Sequence, residues 1–364
     1  MGDMRLPILA GGETRIDRFR ENGALFLCSP RPVQEKRMKR LLLAALVAAT
    51  GLAHAQGFPN KPIRMIIGYA AGSGADIGGR AVAEGLSEAL KTPIVVENRP
   101  GGNVQIALNA VRMAEADGYT IIWGGAAPLS VQPLMDPKLS GLEKPWDPTA
   151  DFAVAGFVGR YDGMFYTGAS GPKDIKDLIA QLRAPGGNVN WGSFSAGSTF
   201  DLAQEYLVYL AKGTATPVRY KGGADITNEL MAGRLTFSMT TLSPGNFALI
   251  KAGKLRALAV LSKDRLPLAP DVPSLAEIGL PEMLDIDWDA WFGIFVRKAT
   301  PAPVLEKLNE GTRAMLANKA QVEKLAKMGI NAYAPAGLRD SQERWVKSFA
   351  ATRVMLGKLD KLPK

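Results

Sequence analysis

Four short loops carry most of the residues able to do chemistry. The first reads Gly72-Ser73-Gly74-Ala75-Asp76-Ile77-Gly78 and lies between a β-branched run and a helical pattern. Glycines let a backbone come close to a ligand, and the open N–H groups and dipole of a helix start attract an anion. Asp76 stands where a helix N-cap is expected. The second loop, Gly124-Gly125-Ala126-Ala127-Pro128, follows the run ending at Trp123. The third, Ser193-Phe194-Ser195-Ala196-Gly197, leads through Ser198 and Thr199 to a helical pattern at Leu202. The fourth is Tyr220-Lys221-Gly222-Gly223. Tyr69, Trp123, Trp191 and Tyr220 adjoin these loops and are placed to wall a pocket. The plain alternative for each loop is a tight turn with no ligand.

Two reactive readings compete with anion binding. The first loop imitates a dinucleotide fingerprint, with Glu97 about twenty residues on, but its last glycine falls one place late. The third nearly matches a Gly-x-Ser-x-Gly nucleophile elbow, with Ser193 in place of the first glycine. An activated Ser195 needs a base. The only histidine is His54 and the only cysteine is Cys28. A lysine base such as Lys221 is conceivable, and an exported serine hydrolase stays as a rival class.

Both His54 and Cys28 precede an expected cut. Met38 to Ala55 reads as a secretory signal peptide: Lys39 and Arg40, an apolar run from Leu41 to Leu52, then Ala53-His54-Ala55 as a small-x-small cleavage site. The apolar run falls short of the ~20 residues that span a bilayer. Cleavage after Ala55 gives a periplasmic chain of 309 residues, Gln56 to Lys364, with 35 basic and 30 acidic side chains. That chain has no thiolate or imidazole to act as nucleophile, base or metal ligand, and no disulfide. No cofactor is expected. The modest positive balance suits an anionic ligand, and no basic cluster suggests nucleic acid. Residues 1–37 show no useful periodicity, and Met38 is a candidate start.

About 309 residues is room for two domains. Strand runs at Ile63–Tyr69, Ile94–Val96, Tyr119–Trp123, Phe152–Val158, Gly163–Tyr166, Val189–Trp191, Thr216–Tyr220, Leu235–Met239 and Ala257–Leu261 alternate with helical patterns. That is α/β layering. A helical C-terminus opens with Thr300 as N-cap and Pro301 first in the helix. Pro281 to Val296 reads as extended and as a crossing back to the first lobe. Small-residue loops at strand C-terminal ends ring one cleft, where ligands sit in open α/β sheets.

The chain resembles the Bug-type extracytoplasmic solute receptors of tripartite tricarboxylate transporters over nearly all of Gln56–Lys364. The resemblance rests on Phe58-Pro59-Asn60-Lys61-Pro62-Ile63, the first loop to Asp76, Val95 to Asn103, Ala114 to Thr120 and Pro145 to Pro148. It continues through Asp151-Phe152, Asn190 to Ser193, Tyr220 to Gly222, Gly253 to Ala259, Asp271 to Glu277 and Trp291 to Gly293. It implies a type II Venus flytrap with mixed sheets flanked by helices and two crossing segments. Lobe 1 is expected at 56–158 plus 283–364 and lobe 2 at 159–282, after an extension and signal at 1–55. The ligand implied is a small organic acid, held without catalysis by Tyr69, Gly72, Ser73, Gly74, Asp76, Gly125, Ala126, Ser193, Ser195, Ser198, Thr199 and Tyr220. Implied partners are a large permease and a small membrane subunit, with the receptor itself a monomer; a ligand-reporting sensor is the alternative role. The chain departs from the family pattern at Asp201, where a histidine is common, and at Arg219, where a proline is common. Facing the cleft, Asp201 disfavours a dianion and Arg219 favours one.

Overall fold

The computed structural model describes residues 57–136, 146–193, 197–220, 222–266, 269–286 and 288–360. The expected signal peptide, Cys28, His54, Ser195 and Lys221 lie outside these residues.

The apolar runs form two mixed sheets. In the first, β1 (Ile63–Ile67) lies between β2 (Ile94–Asn98) and β3 (Thr120–Gly125), parallel to both. Ile63, Met65, Ile66 and Ile67 are all buried. A central strand covered on both faces needs apolar side chains on both, so its run is nearly continuous. β10 (Trp291–Arg297) pairs antiparallel with β3 and with β4 (Phe152–Tyr161), and β11 (Ile330–Ala332) pairs antiparallel with β4. The order is β11-β4-β10-β3-β1-β2. The second sheet has the order β7-β6-β8-β5-β9. In it β6 (Asn190–Ser193) runs parallel to β7 (Thr216–Arg219) and β8 (Phe237–Thr241). β5 (Gly163–Gly168) runs antiparallel to β8 and to β9 (Leu255–Val260).

These directions fix where the loops fall. β1, β2, β3 and β4 all end at one edge of the first sheet, where β10 begins, with Trp291 opposite Arg160 and Phe292 opposite Gly125. β6, β7 and β8 end at one edge of the second, where β5 begins with Gly163 opposite Thr241. Asp162 alone separates β4 from β5, so the crossing joins these two edges. The strand-end loops of both sheets therefore gather at one junction, the usual ligand position in open α/β sheets. The chain returns between Val260 and Trp291. Pro281–Asp285 in that return is a 3-10 turn rather than extended chain, and Trp288 beyond it packs on Tyr206 at 5.8 Å between ring centres.

Helices cover both sheets. α1 (Gly74–Leu90) follows β1, α2 (Gln105–Arg112) follows β2, and the short α3 (Gln132–Met135) and α4 (Pro148–Asp151) lie between β3 and β4. α5 (Ile175–Arg183), α6 (Thr199–Leu210), α7 (Gly223–Met231) and α8 (Pro244–Lys251) belong with the second sheet. α9 (Ala302–Ala317), α10 (Lys319–Lys327) and α11 (Leu338–Lys358) close the chain on the first. α1 buries Ala81, Val82, Leu86 and Leu90 and leaves Ile77 45 % exposed. α9 begins one residue later than expected: Pro301 takes the cap position and Thr300 precedes it. Proline lacks the N–H that the first helical position leaves unpaired, so it fits on either side of that boundary.

Candidate functional site

The same five-residue turn is built twice, once in each lobe. Gly72-Ser73-Gly74-Ala75-Asp76 opens α1, and Gly197-Ser198-Thr199-Phe200-Asp201 opens α6. Each glycine has a positive φ, 80° and 69°, which a side chain would oppose. Each serine is the N-cap: Ser73 Oγ accepts the Asp76 N–H at 3.3 Å, and Ser198 Oγ accepts the Asp201 N–H at 3.1 Å. Each aspartate then reaches back to its glycine, with Gly72 N–H to Asp76 Oδ2 at 2.8 Å and Gly197 N–H to Asp201 Oδ2 at 2.9 Å. Asp76 is thus the third helical residue and not the N-cap expected for it. A serine three residues before an acid lets both side chains serve the turn, as in a capping box.

This geometry leaves backbone donors open. The first N–H groups of a helix have no partner within it. Serine and aspartate serve only the third helical N–H and the glycine's. The N–H groups of Gly74 and Ala75, and those of Thr199 and Phe200, meet no acceptor among the described residues. α7 adds another such start, capped by Gly222, which brings no side chain. Replacing Ser198 by alanine should cost about 1 kcal/mol of stability, the usual worth of an N-cap. A urea midpoint unchanged from that of the wild type would remove Ser198 from the capping role.

Residues far along the chain hold the first turn. Asn98, at the end of β2, donates Nδ2 to Asp76 Oδ1 at 2.7 Å and to the Tyr69 carbonyl at 3.0 Å. Arg80 Nε lies 3.1 Å from both Asp76 oxygens, and its Nη2 donates to Asn98 Oδ1 at 2.7 Å. Tyr161 donates its hydroxyl to the Gly74 carbonyl at 2.9 Å, and Trp123 Nε1 donates to the Ala75 carbonyl at 3.0 Å. Burial alone raises the Asp76 pKa; hydrogen bonds from Asn98, Gly72 N–H and Arg80 outweigh it and hold the carboxyl below its ordinary value. None of Arg80, Asn98 or Tyr161 stands out in the sequence, although Asn98 lies in a stretch shared with the Bug receptors.

The second turn is held from β7. Arg219 Nη1 donates to Asp201 Oδ1 at 2.9 Å and to Ser193 Oγ at 2.5 Å, and its guanidinium carbon lies 5.9 Å from the Trp191 ring centre. Asp201 is buried, while the Arg219 side chain is 47 % exposed. The acid is thus neutralised inside the turn and only its partner reaches the surface.

The other expected residues divide. Ser193 and Thr199 are buried at the end of β6 and the start of α6. Tyr220, half-buried after β7, donates its N–H to the Ser193 carbonyl at 2.8 Å. Tyr69 is half-buried beside Phe292, with burial pushing its hydroxyl pKa up. Gly125 and Ala126 are both buried, and a Cβ on Gly125 would lie 2.8 Å from the Phe292 ring. The second turn touches the first lobe, since a Cβ on Gly197 would lie 2.9 Å from Met135 Sδ. A concavity of about 590 Å³ follows the crossings and includes Tyr161 but no residue of either turn. Several of the charges lining it are paired, Arg160 with Asp162 at 3.2 Å, Asp289 with Arg344 at 2.8 Å and Arg265 with Glu277 at 2.7 Å.

Comparison with known proteins gives the family and the fold. The family model described as tripartite tricarboxylate transporter family receptor matches residues 79–351. Protein BugT of Bordetella pertussis is 31 % identical over 299 residues, 80 % of this chain and 89 % of BugT. The solved structure of R. palustris Rpa4515 with adipate has a TM-score of 0.74 at 26 % identity, over 84 % of this chain and 100 % of that one. The periplasmic binding protein BugD, at 24 % identity, shares the fold with a TM-score of 0.70 over 84 % of this chain and 100 % of BugD.

Proposed function

The chain belongs to the tripartite tricarboxylate transporter receptor family, and we propose that it captures a small carboxylate between its two lobes without altering it. One observation carries the reading: the twin Gly-Ser-x-x-Asp turns offer open N–H donors from both sheets at the edges joined by the crossing. A ligand bridging both turns favours the closed arrangement, because only differential affinity shifts such an equilibrium. The adipate in the related Rpa4515 structure supports a carboxylate. The candidate contacts are Tyr69, Gly72, Ser73, Gly74 and Asp76 in lobe 1, with Ser193, Ser195, Ser198, Thr199 and Tyr220 in lobe 2. Gly125 and Ala126 line the wall behind Phe292. Lobe 1 is taken as 56–158 plus 283–364 and lobe 2 as 159–282, with Asp162 in the first crossing and the return before Trp291 as the second. Family members are periplasmic binding proteins; the finer reading is export by the signal at 38–55, cleavage after Ala55, and delivery by a monomer to a permease and a small membrane subunit.

Thermal melting of refolded Gln56–Lys364 protein against di- and tricarboxylates, aromatic acids, acidic amino acids and neutral amides tests this. A ligand at ~100 times its Kd adds about 2.7 kcal/mol, worth several degrees in a chain of this size. A shift from neutral compounds alone would sink the carboxylate reading.

A further inference from the structure

We propose that Arg219 binds the ligand directly and sets its charge, giving the free side of its guanidinium to a negative group at the ligand's far end. The inference rests on the carboxylate reading above and names a side chain where that reading relies on backbone donors.

Two arginines built on the same turn are used differently. In lobe 1, Arg80 turns its bidentate edge to the turn itself: Nε serves both oxygens of Asp76 and Nη2 serves Asn98, which leaves Nη1 alone without an acceptor among the described residues. In lobe 2, Arg219 uses a single nitrogen. Its Nη1 serves both Asp201 and Ser193, and its Nε and Nη2 meet no acceptor among the described residues. An arginine fork is rigid and planar, so fixing one corner fixes the direction of the others. A bidentate acceptor such as a carboxylate matches the remaining N–H groups.

The position is right for a ligand. Arg219 ends β7 at the junction edge, opposite Ser193 at the end of β6. The start of α6 lies on one side, through Asp201, and the start of α7 follows three residues on, at Gly222. The guanidinium is anchored before any ligand arrives, so less conformational entropy is lost on binding. Its carboxylate partner is held by the Gly197 N–H as well, so Asp201 stays in place when Arg219 turns part of its charge outward.

Calorimetric titration of wild type, Arg219→Gln and Arg219→Lys with straight-chain diacids from succinate to suberate, and with their monomethyl esters, tests the assignment. Melting curves confirm that each variant is folded. Wild type should prefer the best diacid to its monoester by ~10–100-fold, the worth of a charge-assisted hydrogen bond. Arg219→Gln should bring that ratio close to one, with any loss from the weakened second turn falling on diacid and monoester alike. Arg219→Lys, which keeps the charge and loses the fork, should fall between. A merely bracing arginine would weaken both compounds alike, so a ratio that survives in Arg219→Gln overturns the proposal. Equal binding of diacid and monoester by wild type also overturns it and leaves the carboxylate reading standing. Binding of neither acid by wild type overturns the proposal, and the melting panel above then decides the carboxylate reading separately.

Discussion

Replacing Trp123 by alanine should destabilise the protein by about 3–5 kcal/mol, the range for truncating a large buried aromatic. Trp123 is fully buried near the end of β3 and stacks on Phe292 with ring centres 5.0 Å apart. It also fills the space that a side chain on Gly79 would occupy, since a Cβ there would lie 2.8 Å from Trp123 Cδ1. The first helix lies this close to the strand only because Gly79 has no side chain. Truncation leaves a cavity that the helix can only partly close. Trp123→Phe keeps an aromatic ring for the stack but loses both the Nε1–H bond to the Ala75 carbonyl, worth about 1 kcal/mol, and the part of the indole that a phenyl does not fill, so its cost should fall between wild type and Trp123→Ala. Denaturant midpoints of the three proteins make the comparison. A cost below ~1 kcal/mol for Trp123→Ala would show that the stack on Phe292 does not hold the first turn.

The elements were legible where periodicity and punctuation agreed. Ile63 to Ile67 announces a strand because four of its five residues are apolar without alternation, and Gly72-Ser73-Gly74 announces a strand-to-helix turn because nothing apolar interrupts it. The order of strands within each sheet was not legible. β10 lies between β3 and β4 although some 165 residues separate it from β3, and no local pattern encodes such a pairing.

The site was legible as loops and much less so as a network. The repeat of Gly-Ser-x-x-Asp at 72 and 197 was on view, yet Asp76 was assigned the cap because serine and aspartate compete for that position. The rest of the first turn depends on partners brought in by the fold: Asn98 is 22 residues from Asp76, and Tyr161 is 87 residues from Gly74. Asp201 and Arg219 stood out as departures from the Bug pattern, but as separate ones of opposite charge. Their 2.9 Å contact joins them into one unit, and the question of a bare acid facing the cleft disappears.

Asp76→Asn should lower stability by about 2–3 kcal/mol at neutral pH, with the deficit shrinking as the solution is acidified. Every group around this carboxylate is a donor: Gly72 N–H, Asn98 Nδ2 and Arg80 Nε. Asparagine is nearly the same shape but turns an NH2 toward one of them, so a charge-assisted bond, usually worth ~1.5–3 kcal/mol, gives way to two opposed donors. Arg80 is half exposed and hydrated, so its ion pair adds little to that figure. The pH course follows from the depressed pKa. The unfolded carboxyl titrates near ~3.9. Above that value Asp76 contributes its full stabilisation; the contribution falls as pH drops through the lower folded value, because the unfolded chain takes up the proton first. Urea midpoints of wild type and Asp76→Asn between neutral pH and pH 2.5 isolate this residue, since every other carboxylate titrates alike in both proteins. A difference between the two that stays constant across that range would mean that shape, and not the negative charge, is what the three donors hold. The first turn would then keep its open N–H groups aimed at the junction without Asp76 being ionised.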